Sequence, residues 1–143
     1  MKYLSILIFS FLLITSCGKK EEAKLQAVNP EAAAFDMGDG ASEVNASVIV
    51  KGFQQIETDG AFHSELSYSV DLQRPDGSLV KNKFSDVMTN KEKEKLPDQQ
   101  LNIQFELDST FVKGKYKLVI NIKDKNSAQT VSVEKEFDLG ESK

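Results

Sequence analysis

Tryptophan is absent from this chain of 143 residues, cysteine and histidine occur once each, and there are only three prolines. A single cysteine excludes an internal disulfide. With His63 as the only histidine, the usual zinc and copper ligand sets cannot be assembled. Any Ser–His–acid triad would need His63 as its base. Its neighbour Ser64 falls on the opposite face of a strand and cannot be the partner nucleophile. No GxSxG stretch and no glycine-rich phosphate loop occurs. The 22 acidic residues outnumber the 18 basic ones, and no basic block interrupts them. The aromatics fall on apolar faces, so no stacking surface for nucleic acid is visible. The carboxylates are scattered over polar faces, as solubility alone requires. These absences argue for no cofactor, no metal and no catalysis. Without tryptophan the chain is also poor in the flat platforms that carbohydrate-binding surfaces use.

What is present begins at the N-terminus. Lys2 is followed by Tyr3–Ile14, an uncharged apolar run of the length of an export signal and too short for a stable transmembrane helix. The run ends in Ile14-Thr15-Ser16-Cys17. This sequence resembles the lipobox of bacterial lipoproteins, an aliphatic residue and two small ones before an obligatory cysteine. The resemblance implies that residues 1–16 are a signal peptide, cut before Cys17. It further implies a thioether-linked diacylglycerol on Cys17 and acylation of the new amine, so that several acyl chains hold the protein to a membrane. Gly18 in the next position, by the same analogy, agrees with outer-membrane sorting. Lys19-Lys20-Glu21-Glu22 resembles the signal that carries lipoproteins of the Bacteroidetes group to the cell surface; without that function the cluster is solvated spacer on a periplasm-facing protein.

Residues 17–43 read as a tether. Within it Asn29-Pro30-Glu31-Ala32-Ala33-Ala34-Phe35 has the signals of a short helix: an Asn N-cap, Pro at the first helical position and an early Glu. Asp36 to Gly40 lacks the ligand count of a calcium loop and reads as a turn.

From Val44 to about residue 140 the apolar period is two. Val44, Ala46, Val48 and Val50 share one face; Phe62, Leu66, Tyr68, Val70 and Leu72 another; then Leu101, Ile103, Phe105 and Leu107; Tyr116, Leu118, Ile120 and Ile122; and Val131, Val133, Phe137 and Leu139. Each set marks a strand with one dry face. Arg74-Pro75-Asp76-Gly77 has the composition of a type I turn. It leads into Ser78–Met88, whose poor alternation suits an edge strand. Lys91–Pro97 reads as a loop, and Asp124–Ala128 as the last hairpin turn. Such spacing predicts an all-β domain, an antiparallel sandwich of six or seven strands.

The stretch Val112 to Asp124 (VKGKYKLVINIKD) resembles the penultimate strand of bacterial immunoglobulin-like domains: Gly114, then Tyr116, alternating aliphatics, and a closing Asp124. The resemblance implies an immunoglobulin-like sandwich, with Tyr116 as a tyrosine corner whose phenol bonds upstream backbone. The Cys pair and core Trp of antibody domains are missing, and nothing in it names a ligand.

Two expectations for function follow. One is a non-catalytic binding or structural module, held by its lipid at the outer membrane, at the cell surface or on the periplasmic face. Its partner would be another envelope protein or a surface component. The other is an accessory lipoprotein subunit of an envelope assembly, with an exposed strand edge pairing to a neighbour.

Overall fold

The computed structural model describes residues 23–140, and every regular element among them is a strand. The signal segment, Ile14–Cys17 and Lys19–Glu22 lie outside the described residues. Eight strands are present: β1 (Gln26–Gly38), β2 (Ala41–Lys51), β3 (Ile56–Thr58), β4 (Ala61–Gln73), β5 (Leu79–Glu92), β6 (Asp98–Leu107), β7 (Gly114–Asp124) and β8 (Thr130–Leu139). They form two antiparallel sheets. The smaller has the order β1-β2-β6. In the larger, β4 pairs with β5 along one edge and with β3 and then β7 along the other, and β8 lies beyond β7. With β1, β2 and β6 facing β4, β7 and β8, the order is that of an immunoglobulin-like sandwich.

The core is the set of alternate side chains from the two facing surfaces. Val44, Val48, Val50, Leu66, Val70, Leu72, Leu101, Ile103, Leu118, Ile120 and Ile122 are buried, with Tyr68, Phe105, Tyr116 and Phe137 filling the remaining volume. Tyr116 and Phe137 stack at 5.7 Å between centroids, and Phe84 stacks on Phe105 at 6.3 Å. Val133, expected in the core, is half-buried: β8 ends its sheet, and on that flank only β1 of the other sheet comes near, with no ladder to β8.

The count of eight is above the expected six or seven, and β1 and β3 are the strands not read from the sequence. The short helix expected at residues 29–35 is instead the middle of β1, so the sandwich does not begin at Val44. Leu25 is already core, at 3% exposure, and the expected tether up to residue 43 ends before it. The reason is that alanine's preference for helix, though the strongest of any residue, is a small term that tertiary pairing overrides, and a short isolated helix is marginal. Pairing with β2 satisfies the backbone across ten registered positions and packs Ala32 and Ala34 against the core. Asn29 and Pro30, the apparent helix cap, form a β-bulge: the register slips by one residue between Val28 and Glu31, and Asn29 takes a φ of 52°. Proline is tolerated there because a bulge needs no ladder bond from its nitrogen.

Two hairpins turn on Asp-Gly pairs. Asp39-Gly40 joins β1 to β2 and Asp59-Gly60 joins β3 to β4, with all four φ angles between 54° and 79°. Positive φ at both central residues defines the type I′ turn that matches strand twist. At Arg74–Gly77 the Gly77 N–H donates to the Arg74 carbonyl at 2.9 Å, closing the turn read from composition. Lys91 and Glu92 belong to β5, so the charged loop is shorter than expected.

Candidate functional site

The strands place their connections at two ends of the sandwich. One end gathers the chain's entry at residues 23–25, the β2–β3 segment, the β5–β6 loop and the β7–β8 turn. We call it the proximal end. The distal end gathers the β1–β2, β4–β5 and β6–β7 connections.

The proximal end is organised around Asp124, which is completely buried. Its carboxylate accepts hydrogen bonds from the Gln54 N–H at 2.7 Å, the Ser127 hydroxyl at 2.7 Å and the Asn126 N–H at 2.9 Å. The Asn126 amide donates onward to the carbonyls of Gln54 and His63. Gln129 holds the entering chain, accepting from the Leu25 N–H at 3.0 Å and donating to the Ala23 carbonyl at 3.2 Å. Gln55 makes a reciprocal pair with the backbone of Leu96. Gly52 lies so close to the Lys24 carbonyl that a Cβ would collide with backbone, and its φ of 70° disfavours any side chain. A cleft of about 440 Å³ opens here, floored by Phe53 and Leu96 and rimmed by Lys95, Pro97 and Gln129.

At the distal end the bonds are local. The Asp36, Asp76 and Asp108 carboxylates accept from Gly38, Ser78 and Thr110, each two residues on. Hydrogen bonds from Ser78 hold Asp76 below the ordinary aspartate range, and Thr110 does the same for Asp108. The Tyr116 hydroxyl donates to the Val112 carbonyl at 2.7 Å, a tyrosine corner, and burial pushes its pKa up. Gly114, at φ 149°, lies against the Pro75 ring, which leaves no room for a Cβ. Arg74 and Lys83 both stack on Phe111. Phe35, Met37, Leu79 and Val112 are exposed at this end.

His63 is half-exposed at the start of β4, and Ser64 is buried on the other face, its hydroxyl accepting weakly from Asn90 at 3.5 Å. They do not converge. No group of three or more His, Cys, Asp or Glu able to hold a metal occurs among the described residues. The outer face of the larger sheet carries a shallow groove of about 660 Å³ floored by Ser67, Ser69, Asn121 and Ser132. A chain of hydrogen bonds crosses it from Ser132 through Asn121 to Asp71. Of these features Asp124, Tyr116, Gly114, the Arg74–Gly77 turn and the separation of His63 from Ser64 were legible in the sequence. Gln54 and Val112, the partners of Asp124 and Tyr116, carry no signal of their own.

No protein-family model matches the chain, and no curated protein matches it. Among solved structures, one similar chain is a protein from Archaeoglobus fulgidus, with 13% identity over 82% of this chain and 98% of that one and a TM-score of 0.44. Another is a structural-genomics target known from its X-ray structure, with 10% identity over 82% of this chain and 86% of that one and a TM-score of 0.35.

Proposed function

We propose that the chain is a lipid-anchored, non-catalytic module of a bacterial cell envelope, binding another envelope protein or a surface component. The observation that carries this reading is the distance between anchor and fold. Cys17, in its lipobox-like setting, precedes Lys24 by only seven residues, and Leu25 is buried. At about 3.3–3.6 Å per extended residue the link spans at most ~25 Å. A lipid on Cys17 would therefore keep the proximal end near the membrane and the distal end, with its exposed apolar residues, facing outward. Fractionation tests the anchor: Cys17→Ser should abolish palmitate labelling and release the protein from membranes. A variant that still labels and still sediments with membrane overturns the reading.

Display at the outer-membrane surface, rather than the periplasmic face, is part of the same proposal and rests on Lys19–Glu22. Protease treatment of intact cells should digest the wild-type protein, and alanine at those four positions should protect it. A wild-type protein that resists until lysis is periplasmic. A second reading, an accessory subunit of an envelope assembly, draws support from the unpaired strand edges. Mild crosslinking followed by purification should then recover a stoichiometric membrane-complex partner.

A further inference from the structure

Unpaired strand edges invite further strands, and folds guard them with bulges, prolines, inward charges or covering segments. Four strands bound the two sheets here. β1 carries the Asn29–Pro30 bulge, and Ala32 and Ala33 line one depression with Lys135 of β8. β8 turns Lys135 to the same side as Phe137 and Leu139, an inward charge on an edge. β5 has two extra residues between Val80 and Phe84 and aims Asp86 at the buried Tyr68 hydroxyl, at 3.4 Å.

β6 has none of these devices. Asp98–Leu107 pairs with β2 at ten successive positions without a register break. The strand contains no Lys, Arg, Pro or Gly, and its inward set, the half-buried Gln99 followed by the buried Leu101, Ile103, Phe105 and Leu107, carries no charge. Its other edge has no ladder partner among the described residues. β5 approaches only through side chains, Phe84 on Phe105 and Asn90 to Gln99 at 3.1 Å.

We propose that the free edge of β6 is the docking edge of this domain and that it takes an extended, cationic segment of another polypeptide as an added strand. The chemistry follows from the outer row of β6, which reads Asp98, Gln100, Asn102, Gln104, Glu106. Both ends are anionic and the middle is amide. Glu106 also sits directly across from Glu43, a like-charge pair that costs stability until a cation neutralises it. Hydrogen bonds from Asn45 and Gln104 lower the Glu43 pKa, keeping that site negative. An incoming strand with Lys or Arg at its ends and apolar residues at alternate positions meets these carboxylates on one face and Phe84 and Met88 on the other. A second copy of β6 does not fit: antiparallel pairing centred on Asn102 sets Asp98 against Glu106 at both ends.

This inference rests on the reading of the domain as a binding module and is independent of the anchor. Its test uses the full chain in detergent, with and without Cys17→Ser, and synthetic ten-residue Thr/Val peptides ending in Lys or in Glu. Amide hydrogen exchange is the readout. The Lys-ended peptide should slow exchange of the β6 amides that do not bond β2 by tenfold or more in both proteins. The Glu-ended peptide should not, and N102K/Q104K should abolish the protection without lowering the melting temperature. Protection of β5 or β8 instead, protection that grows with protein concentration alone, or none at millimolar peptide would each overturn the proposal. None of these outcomes bears on membrane fractionation, so loss of this idea and loss of the anchor are separable.

Discussion

The two ends of the sandwich are closed by different means. At the proximal end, side chains bond across long stretches of sequence: Asp124 reaches Gln54, 70 residues away, and Gln129 reaches Leu25, 104 residues away. At the distal end Asp36, Asp76 and Asp108 bond two residues along their own loops. A buried carboxylate shared by several elements couples them, since losing it strands several donors at once. A local Asx turn shapes one loop and leaves the others alone. The proximal end should therefore open only with the whole domain, while the distal turns, joined to one another by packing (Arg74 and Lys83 on Phe111, Pro75 against Gly114) rather than by hydrogen bonds, should open more readily.

The largest break in this comparison removes the strand that the proximal end ties down. A chain starting at Ala41 lacks Leu25 and all of β1, and should fail to give the cooperative denaturation of the full chain. A fragment as stable as the full chain would mean that β1 is an ornament. Next comes Asp124→Ala, which leaves the Gln54 and Asn126 N–H groups and the Ser127 hydroxyl without their acceptor. Chemical denaturation should show a loss of about 3 kcal/mol or more. Ile120→Ala serves as a measure of core packing, at about 2–5 kcal/mol, and Asn121→Ala beside it on the polar face, which removes the bridge from Ser132 to Asp71, should cost less, about 0.5–1.5 kcal/mol.

Smaller effects belong to the distal end. Tyr116→Phe removes one hydroxyl bond to Val112 and should cost about 0.5–1.5 kcal/mol with little change in packing. Smallest is the acid response of Asp76 and Asp108. Their folded pKa values lie below the ordinary aspartate value of 3.8. The stabilisation they add is therefore complete above that value and declines as pH falls through the lower folded value. Asp108→Ala should lower the melting temperature slightly at neutral pH, and the difference from the wild-type protein should shrink as pH falls below the ordinary aspartate value. A large drop at pH 7 would show that the distal loops are coupled to the core after all.

Most of the fold was legible because a strand with one dry face writes its period into the sequence, as Tyr116, Leu118, Ile120 and Ile122 do. β5 was legible as an edge through its irregularity, whose cause is the two-residue insertion around Asn82, where the N–H donates to Asp71 at 2.7 Å. β1 was misread because Asn29-Pro30 followed by three alanines is a helix start by local preference, and the pairing that overrides it comes from β2. The Asp39-Gly40 pair just before β2 is a hairpin signal that could have found it, and Asp59-Gly60 could have found β3. Asp124 was visible as the close of a strand. Its three donors were not, because a turn residue and a loop backbone 70 residues away leave no mark on each other's sequence. The β6 edge was invisible for a similar reason: which strands end a sheet is a property of the assembled order.

Native-state hydrogen exchange tests the contrast between the two ends most directly. The amides of Leu25, Gln54, Lys125 and Asn126, which bond Gln129, Asp124, Glu65 and Asp124, should exchange only through openings near the free energy of global unfolding, as the β7 core amides do. Those of Gly38, Ser78 and Thr110 should exchange through far smaller local openings. Equal protection at the two ends, or faster exchange at Leu25 and Gln54 than at the distal turns, would contradict the account.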